Sequence, residues 1–411
     1  WGYPFFLWMA LKVAGPLYVF LANLPVLMIV LLLAGFVSYQ MARTSESPGF
    51  SMLLGVAVAA LLLQDNPFLW LVLVNPYRDP LSHALLLTGV AAFISFLTHA
   101  PRQPWRLALA AWLLGCAYCV REPAILAAGP FALSGLVLVR RERGDLWRLP
   151  ALFAVFLILG CLPVLVQAFL VGHHVSISPY SSKHEALAPG MFFETFIGTF
   201  RHALDRVIGS LGGAVAGAFL IGTGVAVFRK NRILIFLLLP LALVYFVFYS
   251  FYYTYVGRYF LIATVFMIPI AVFGAFQALR AITRAIRRAD WEPALLFVFT
   301  LALVLWTSVT LLRYRPFEAP FQVPQARQFR ADIEAHAPPG SFLLCAHPLS
   351  DFVRTLTHVE SWPIERCLAD EELNGDKIEE LLKRLRARHS VVLLANQANP
   401  GEPDAGIFFL R

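Results

Sequence analysis

The sequence predicts a polytopic membrane bundle of α-helices followed by a small C-terminal α/β domain, and three observations support this. Of the 411 residues, 59% are hydrophobic and only 14% are charged, whereas a soluble domain carries about a quarter charged residues. Apolar runs of about 18 residues recur through the first three quarters of the chain, each long enough to cross about 30 Å of hydrocarbon. Most Asp and Glu residues follow Arg313 instead.

The apolar runs predict about ten membrane spans, with short loops between them. Their approximate bounds are 17–42, 49–64, 81–98, 106–120, 123–139, 149–171, 207–228, 233–250, 259–279 and 293–312. The polar dipeptide Arg121-Glu122 lies between two short runs, so residues 106–139 are expected to form a broken or tilted hairpin. We therefore divide the chain into a transmembrane domain, residues 1–314, and a C-terminal domain, residues 315–411.

The basic residues of the membrane part alternate between the two sides and predict its orientation. One set of loops holds Arg43, Arg102, Arg106, Arg140, Arg141, Arg143, Arg148, Arg229, Lys230, Arg232, Arg280, Arg284, Arg287 and Arg288. The other set holds half as many, namely Lys12, Arg78, Arg121, Lys183, Arg201, Arg206 and Arg258. Because basic residues favour the cytoplasmic side, the C-terminal domain is predicted to be extracytoplasmic. The same asymmetry explains the net charge of +8 without nucleic-acid binding.

The C-terminal domain combines short apolar runs with helical periodicity. Residues 341–346 and 390–395 are predicted strands, while 324–336 and 374–388 are predicted helices. This order favours a small parallel or mixed sheet with helices packed on it. Cys345 and Cys367 would lie in an oxidising compartment, where they are either a disulfide or two buried thiols.

Asp79 and Arg121 are candidate functional residues because each lies beside an apolar helix at the predicted outer side. Asp79 precedes Pro80, so it is either a helix cap or a carboxylate that handles a cation or an incoming hydroxyl. Arg121 is either a local ion-pair partner of Glu122 or a guanidinium presented to an anionic group. The outer loop 172–206 contains His173, Lys183 and His184, and it is expected to be a solvated cover over a site rather than a metal centre.

Arg258 is an exception to the charge asymmetry, since it is predicted to lie on the outer side. Together with Tyr259, it directly precedes an apolar helix. A planar, permanently charged guanidinium at that depth suits a lipid phosphate. The neighbouring tyrosines are typical of an interface belt and indicate little by themselves.

These features resemble the GT-C superfamily of membrane glycosyltransferases, which includes the protein O-mannosyltransferases and the aminoarabinose transferases. The resemblance rests on Gly2-Tyr3-Pro4 before an interfacial helix and on Asp79-Pro80 before an apolar helix. It also rests on Leu114-Gly115 with Val120-Arg121-Glu122-Pro123, where Glu122 is a departure, and on Arg258-Tyr259 with Pro269 further on. The order of these short motifs and the topology carry the resemblance.

The resemblance implies an enzyme of the bacterial inner membrane that uses a polyprenyl-phosphate sugar donor. Arg121, Arg258 and Tyr259 would bind the donor phosphate, Asp79 would support catalysis, and Lys183 with His184 would cover the site. The chain begins at Trp1 without a Met, and the catalytic acid of the first outer loop is expected upstream, with another span that brings the total to about eleven or more. The resemblance leaves open the acceptor, a divalent cation as cofactor and partner subunits of a membrane complex.

Two other classes of function stay open. A non-catalytic GT-C-like scaffold subunit would keep the helices and lack the acidic first loop. A secondary transporter is less favoured, because no repeat relates the two halves of the sequence and no charged residue lies deep within a predicted span.

Overall fold

A computed structural model of the chain describes residues 23–63, 79–99, 103–139, 145–171, 213–250, 261–286, 288–313, 341–345, 359–363, 391–395 and 407–410, together with the isolated residues 9, 12, 331, 333–335, 383 and 387. The chain forms two compact units. The first comprises 1–8 and 20–316, and the second comprises 9–19 and 317–411.

The first unit is a bundle of apolar helices. Its helices are α1 (Asn23–Arg43), α2 (Pro48–Leu63), α3 (Asp79–Thr98), α4 (Pro104–Val120), α5 (Ala128–Leu138), α6 (Asp145–Val171), α7 (Gly213–Phe228), α8 (Leu239–Ser250), α9 (Leu261–Ala285) and α10 (Glu292–Arg313). A π-helical segment, Leu234–Leu238, leads into α8, and 3-10 segments at Glu122–Ala127 and Ala289–Trp291 precede α5 and α10.

The helices confirm a multi-pass membrane bundle at the level of length and composition. Within the described residues, five are long and apolar enough to cross a membrane: α1, α3, the 147–166 part of α6, α9 and the 292–309 part of α10. Five shorter apolar helical segments occupy 48–63, 104–120, 122–138, 213–228 and 234–249, where the remaining spans were predicted.

Glycines allow two helix pairs of the bundle to approach closely. A Cβ atom on Gly35 of α1 would lie 2.7 Å from the carbonyl oxygen of Gly55 in α2. A Cβ on Gly115 of α4 would lie 2.8 Å from Cα of Gly160 in α6. Small residues at such crossings allow backbone-to-backbone packing, which drives helix association where lipid removes the hydrophobic driving force.

A set of paired charged groups, here called the Glu46 cluster, joins the loop after α1 to the end of α7, to α9 and to α10. The Glu46 carboxylate accepts hydrogen bonds from Arg229 at 2.9 Å, from Arg280 at 2.7 Å and from Gln277 at 2.8 Å. Arg280 also donates to Glu292 at 2.5 Å. Two arginines and two carboxylates therefore neutralise each other, which offsets the cost of burying most of the Glu46 and Arg280 side chains.

The second unit contains a four-stranded sheet with the order β2-β1-β3-β4. Its strands are β1 (Ser341–Cys345), β2 (Glu360–Pro363), β3 (Val391–Ala395) and β4 (Ile407–Leu410). β1 pairs in parallel with β2 and β3, and β4 is antiparallel to β3. β1 and β3 coincide with the two predicted strands, while β2 and β4 were not predicted. Of the predicted helices 324–336 and 374–388, the structure describes 331, 333–335, 383 and 387, which are helical.

Candidate functional site

The polypeptide breaks its helical path at Arg121. α4 ends at Val120, and Arg121 has an extended backbone with φ −154° and ψ 121°. The break has a local cause, since Pro123 has no amide hydrogen to donate to the carbonyl of Cys119 and its ring would clash with that carbonyl in a continuous helix. Arg121 N–H still donates to Ala117 O at 2.8 Å, and Arg121 O accepts from Ala124 N–H at 3.1 Å. The backbone hydrogen-bonding groups of Arg121 are therefore paired, although the helix has ended and the side chain points away from it. This break agrees with the predicted broken hairpin.

Asp79 is the first residue of α3 and is buried, with 2% of its surface exposed. Its position at a helix N-terminus places a carboxylate where the helix dipole favours negative charge. The Asp79 carboxylate also forms an ion pair with the guanidinium of Arg121, which is buried as well. The helix start and the helix end of two neighbouring helices thus meet through opposite charges.

Aromatic side chains of α8 complete the surroundings of this ion pair. The Arg121 guanidinium lies 5.8 Å from the ring centroid of Tyr249, a cation–π distance. Tyr245, one turn earlier, stacks on Tyr249 at 6.5 Å and donates its hydroxyl to Ala124 O at 3.1 Å. We call Asp79, Arg121, Tyr245 and Tyr249 the Asp79–Arg121 site.

Two further polar residues of α3 face the same region. Ser82 Oγ donates to Ala117 O at 3.3 Å, which ties α3 to the last turn of α4. His83, one turn after Asp79, is buried, and its Nδ1 has no hydrogen-bond partner among the described residues. Nothing in the sequence indicated a role for Ser82 or for His83.

The Asp79–Arg121 site and the Glu46 cluster lie at opposite ends of the bundle. Asn231 donates to Ser45 Oγ at 3.3 Å, beside Glu46, and Tyr249 lies at the Asp79–Arg121 site. The helical segment between Asn231 and Tyr249 separates the two by roughly 27 Å, at 1.5 Å per residue.

Of the residues that the resemblance assigns to one site, the structure brings together Asp79 and Arg121. Asp79 and Arg121 contact each other, and the local pairing of Arg121 with Glu122 is not needed to explain the burial of Arg121. Arg258, Tyr259, Lys183 and His184 lie outside the described residues. Tyr245 and Tyr249 were missed, because sequence reasoning attended to the tyrosines that follow them at 252–255.

The His and Cys residues raise two further possibilities, a metal centre and a disulfide. Within the described ranges, no group of three or more His, Cys, Asp or Glu residues is placed to hold a metal ion. Cys116, Cys119 and Cys161 are free thiols at the α4–α6 crossing, where Cys119 Sγ donates to Gly160 O at 3.2 Å. Cys345 belongs to β1 and Cys367 lies outside the described residues, so their disulfide stays a prediction.

Solved structures with a similar fold include an ArnT and an oligosaccharyltransferase. ArnT from Cupriavidus metallidurans in the apo state has a TM-score of 0.59 and 14% identity over 91% of this chain and 78% of that chain. The oligosaccharyltransferase from Archaeoglobus fulgidus, in complex with Zn and sulfate, has a TM-score of 0.54 and 12% identity. That match covers 92% of this chain but only 56% of the oligosaccharyltransferase.

The chain has a GT-C fold. Both similar structures are glycosyltransferases of that fold, so the predicted resemblance is confirmed at the level of architecture. No family model matches the sequence, and no curated protein matches it. At identities of 14% and 12%, the similarity supports a shared fold only, and the activity has to be argued from the site.

Proposed function

We propose that the chain is a membrane glycosyltransferase that moves a sugar from a polyprenyl-phosphate donor to an acceptor hydroxyl at the outer membrane face. The observation that carries this proposal is the buried ion pair of Asp79 and Arg121 beside the ring of Tyr249. Ionisable groups buried at one end of a membrane bundle are costly, and they commonly mark a substrate site. The GT-C fold supports the same class of reaction.

Arg121 has the chemistry needed for the donor phosphate. A guanidinium binds phosphate oxygens in a bidentate manner and keeps its charge when buried. Asp79 and Tyr249 restrict the orientation of that guanidinium, so less rotamer entropy is lost when a phosphate binds. In this proposal Asp79 supports and orients Arg121, Arg258 and Tyr259 contribute further phosphate contacts, and Lys183 and His184 cover the bound donor.

The reaction is a displacement at the anomeric carbon of the sugar. The acceptor oxygen forms a bond to that carbon while the bond from the carbon to the phosphate oxygen breaks, and polyprenyl phosphate leaves. Arg121 stabilises the negative charge that grows on the leaving phosphate. A carboxylate takes the proton of the acceptor hydroxyl. We assign that base to no residue of this sequence.

A divalent cation is not part of the proposed steps. The Asp79 carboxylate already pairs with Arg121, and the described residues offer no cluster of metal ligands. In the proposed steps, guanidinium groups compensate the charge of the leaving phosphate.

The proposed cellular setting follows from the fold and from the placement of the basic loops. Residues 1–314 would form the transmembrane domain in a bacterial inner membrane, and residues 315–411 an extracytoplasmic α/β domain. The lipid-linked donor would enter from the bilayer at the end that holds the Asp79–Arg121 site, because its polyprenyl tail leaves hydrocarbon only at a large cost.

A non-catalytic scaffold subunit of a membrane complex is the second candidate function. One observation favours it. Asp79 forms an ion pair with Arg121, and a buried ion pair with no net charge can serve helix packing alone. The two functions differ in one measurable respect: an enzyme binds polyprenyl phosphate and releases it from a donor, while a scaffold does not turn over.

The test uses the full protein in lipid nanodiscs with polyprenyl phosphate and a panel of radiolabelled polyprenyl-phosphate sugars. We expect the wild type to bind polyprenyl phosphate and, with membrane extract as the acceptor source, to release it from one donor. Arg121→Lys should retain part of the binding, because an ammonium keeps the charge but loses the bidentate geometry. Arg232→Ala, an exposed arginine at the other end of the bundle, is the matched control.

Three results decide between the candidates. Binding and release that fall in Arg121→Lys and persist in Arg232→Ala support the enzyme. Binding without release from any donor, by a protein that elutes as a monodisperse peak, supports the scaffold. A wild-type protein that binds no polyprenyl phosphate contradicts the proposed donor.

A further inference from the structure

An apolar groove of about 630 Å³ runs between α4 and α6 on the outside of the bundle. We call it the α4–α6 groove. Its lining is entirely apolar or aromatic and includes Trp105, Ala108, Trp112, Leu152, Phe156 and Leu159. Its size falls within the range of about 300–1,000 Å³ that is typical of ligand pockets in proteins.

The groove lies between a helix crossing and one end of the bundle. Trp112 and Leu159 line the part of the groove that lies just before the point where Gly115 and Gly160 bring the two helix backbones into contact. From there the lining continues to Pro104 and Leu152, toward the end of the bundle that is remote from Arg121. Trp112 is 43% exposed and Leu159 is 46% exposed, so the groove is open to its surroundings along its length.

The end of the groove at Pro104 and Leu152 carries residues that mark a membrane surface. Trp105 is 59% exposed and Trp147 is 84% exposed, and tryptophans of this kind lie at the level of lipid head groups. Arg148, also exposed, precedes Leu152 by four residues and so lies on the same face of α6 as the groove lining. A second arginine, Arg106, donates to Ser95 Oγ at 2.5 Å.

We propose that the α4–α6 groove binds one acyl chain of an anionic phospholipid, with the lipid phosphate on Arg148. The charge of Arg148 matches the phosphate, and the apolar lining matches the chain. The lining is exposed on the outer surface of an apolar bundle, where the surrounding medium is lipid hydrocarbon, and Arg148 supplies the positive charge that an anionic head group needs. This proposal does not rest on the proposed function.

Native mass spectrometry of the full protein in mild detergent tests the head-group contact. Phosphatidylglycerol and phosphatidylcholine with the same acyl chains are added in equal amounts, and the retained lipid is counted. We expect one retained lipid and a preference for phosphatidylglycerol. Arg148→Ala should lower that preference by about fivefold, as expected for one basic residue near an anionic head group. Arg148→Lys should keep most of it, and Arg284→Ala, an exposed arginine outside the groove, should leave it unchanged.

A second variant tests the groove itself. Leu159→Trp places an indole in the groove and should abolish lipid retention. Leu162→Trp changes a residue of the same helix with similar exposure, 48% against 46%, that is not part of the lining. It should retain the lipid. Since both leucines are on the surface, gel filtration should show folded protein for each variant.

The proposal is overturned by any of three results. One is a wild-type protein that retains no phospholipid while it remains folded. Another is equal retention of the two phospholipids by the wild type. The third is a wild-type dimer that Leu159→Trp dissociates, which would assign the groove to a second copy of this chain.

Discussion

The carboxylate of Asp79 and the guanidinium of Arg121 form a buried ion pair that joins the first residue of α3 to the residue that follows α4. Neither side chain is more than 10% exposed, so solvent screens their attraction weakly. Each member of the pair therefore depends on the other for charge compensation, and this dependence can be measured.

Single substitutions in the pair should cost more stability than the double substitution. Asp79→Asn or Arg121→Gln leaves one buried charge without its partner, which typically costs about 3–5 kcal/mol. The double variant Asp79→Asn/Arg121→Gln removes both charges and should recover most of that loss. Thermal unfolding in one detergent, followed by gel filtration, gives the comparison. Additive losses in the double variant would show that the two side chains are not coupled.

The ring of Tyr249 should contribute through its π face. Tyr249→Leu removes the cation–π contact with Arg121 and should destabilise the protein by about 1–2 kcal/mol beyond the change in packing. Tyr249→Phe keeps the ring and is the matched control, with a smaller effect. Circular dichroism during thermal unfolding measures both. Equal losses for the two variants would assign the role of Tyr249 to its hydroxyl.

The Glu46 cluster should depend on Glu46 more than on Glu292. Glu46→Ala removes the acceptor shared by Arg229, Gln277 and Arg280, and the buried guanidinium of Arg280 then keeps one partner for its charge. We expect a loss of about 2–4 kcal/mol. Glu292→Ala leaves the contact of Arg280 with Glu46 intact and should cost less than half as much. A reversed order of melting temperatures would contradict the central position of Glu46.

The α4–α6 crossing should have no room for even one added methyl group. A Cβ on Gly160 would lie 2.9 Å from Cα of Gly115 and 3.1 Å from the Cys116 nitrogen, so Gly160→Ala must separate two backbones and should cost about 1–3 kcal/mol. Gly135 has open space around its Cβ position. Gly135→Ala is the matched helical control and should be neutral or slightly stabilising. Similar thermal stability of both variants would contradict the close crossing.

The proposed orientation predicts the side on which the C-terminus lies. Alkaline phosphatase fused after Arg411 should be active in a bacterial host, because the enzyme folds only in an oxidising compartment. A cytoplasmic reporter fused at the same point should be inactive. The reverse pattern would invert the proposed topology and place residues 315–411 in the cytoplasm.

The helices were largely predictable from the sequence, because apolar runs and prolines act locally. The predicted run 81–98 corresponds to α3 at Asp79–Thr98, and the run 106–120 corresponds to α4 at Pro104–Val120. The break at Arg121 was predicted from the polar dipeptide Arg121-Glu122, which separates two short apolar runs. The strands of the second unit were predicted less completely, because β2, with the sequence ESWP, has neither an apolar run nor a strong turn signal.

The pairing of side chains was less accessible from the sequence. Asp79 and Arg121 were each recognisable as charged groups beside apolar helices, but nothing local indicates that Arg121 reaches Asp79 rather than Glu122. Tyr249 lies in an apolar helix and resembles a belt residue. Glu46 lies in the polar segment Thr44-Ser45-Glu46-Ser47, which is typical of a solvated turn, and its three partners come from distant parts of the chain.

The arginines of the Glu46 cluster have different electrostatic effects before and after the helices assemble. In the proposed orientation, Arg229 and Arg280 help to retain their loops in the cytoplasm during insertion, when acidic residues contribute little to that decision. Once the helices have assembled, Glu46 and Glu292 cancel both charges. The two arginines thus direct biogenesis as cations and afterwards add almost nothing to the electrostatic potential that the mature protein presents to the membrane surface.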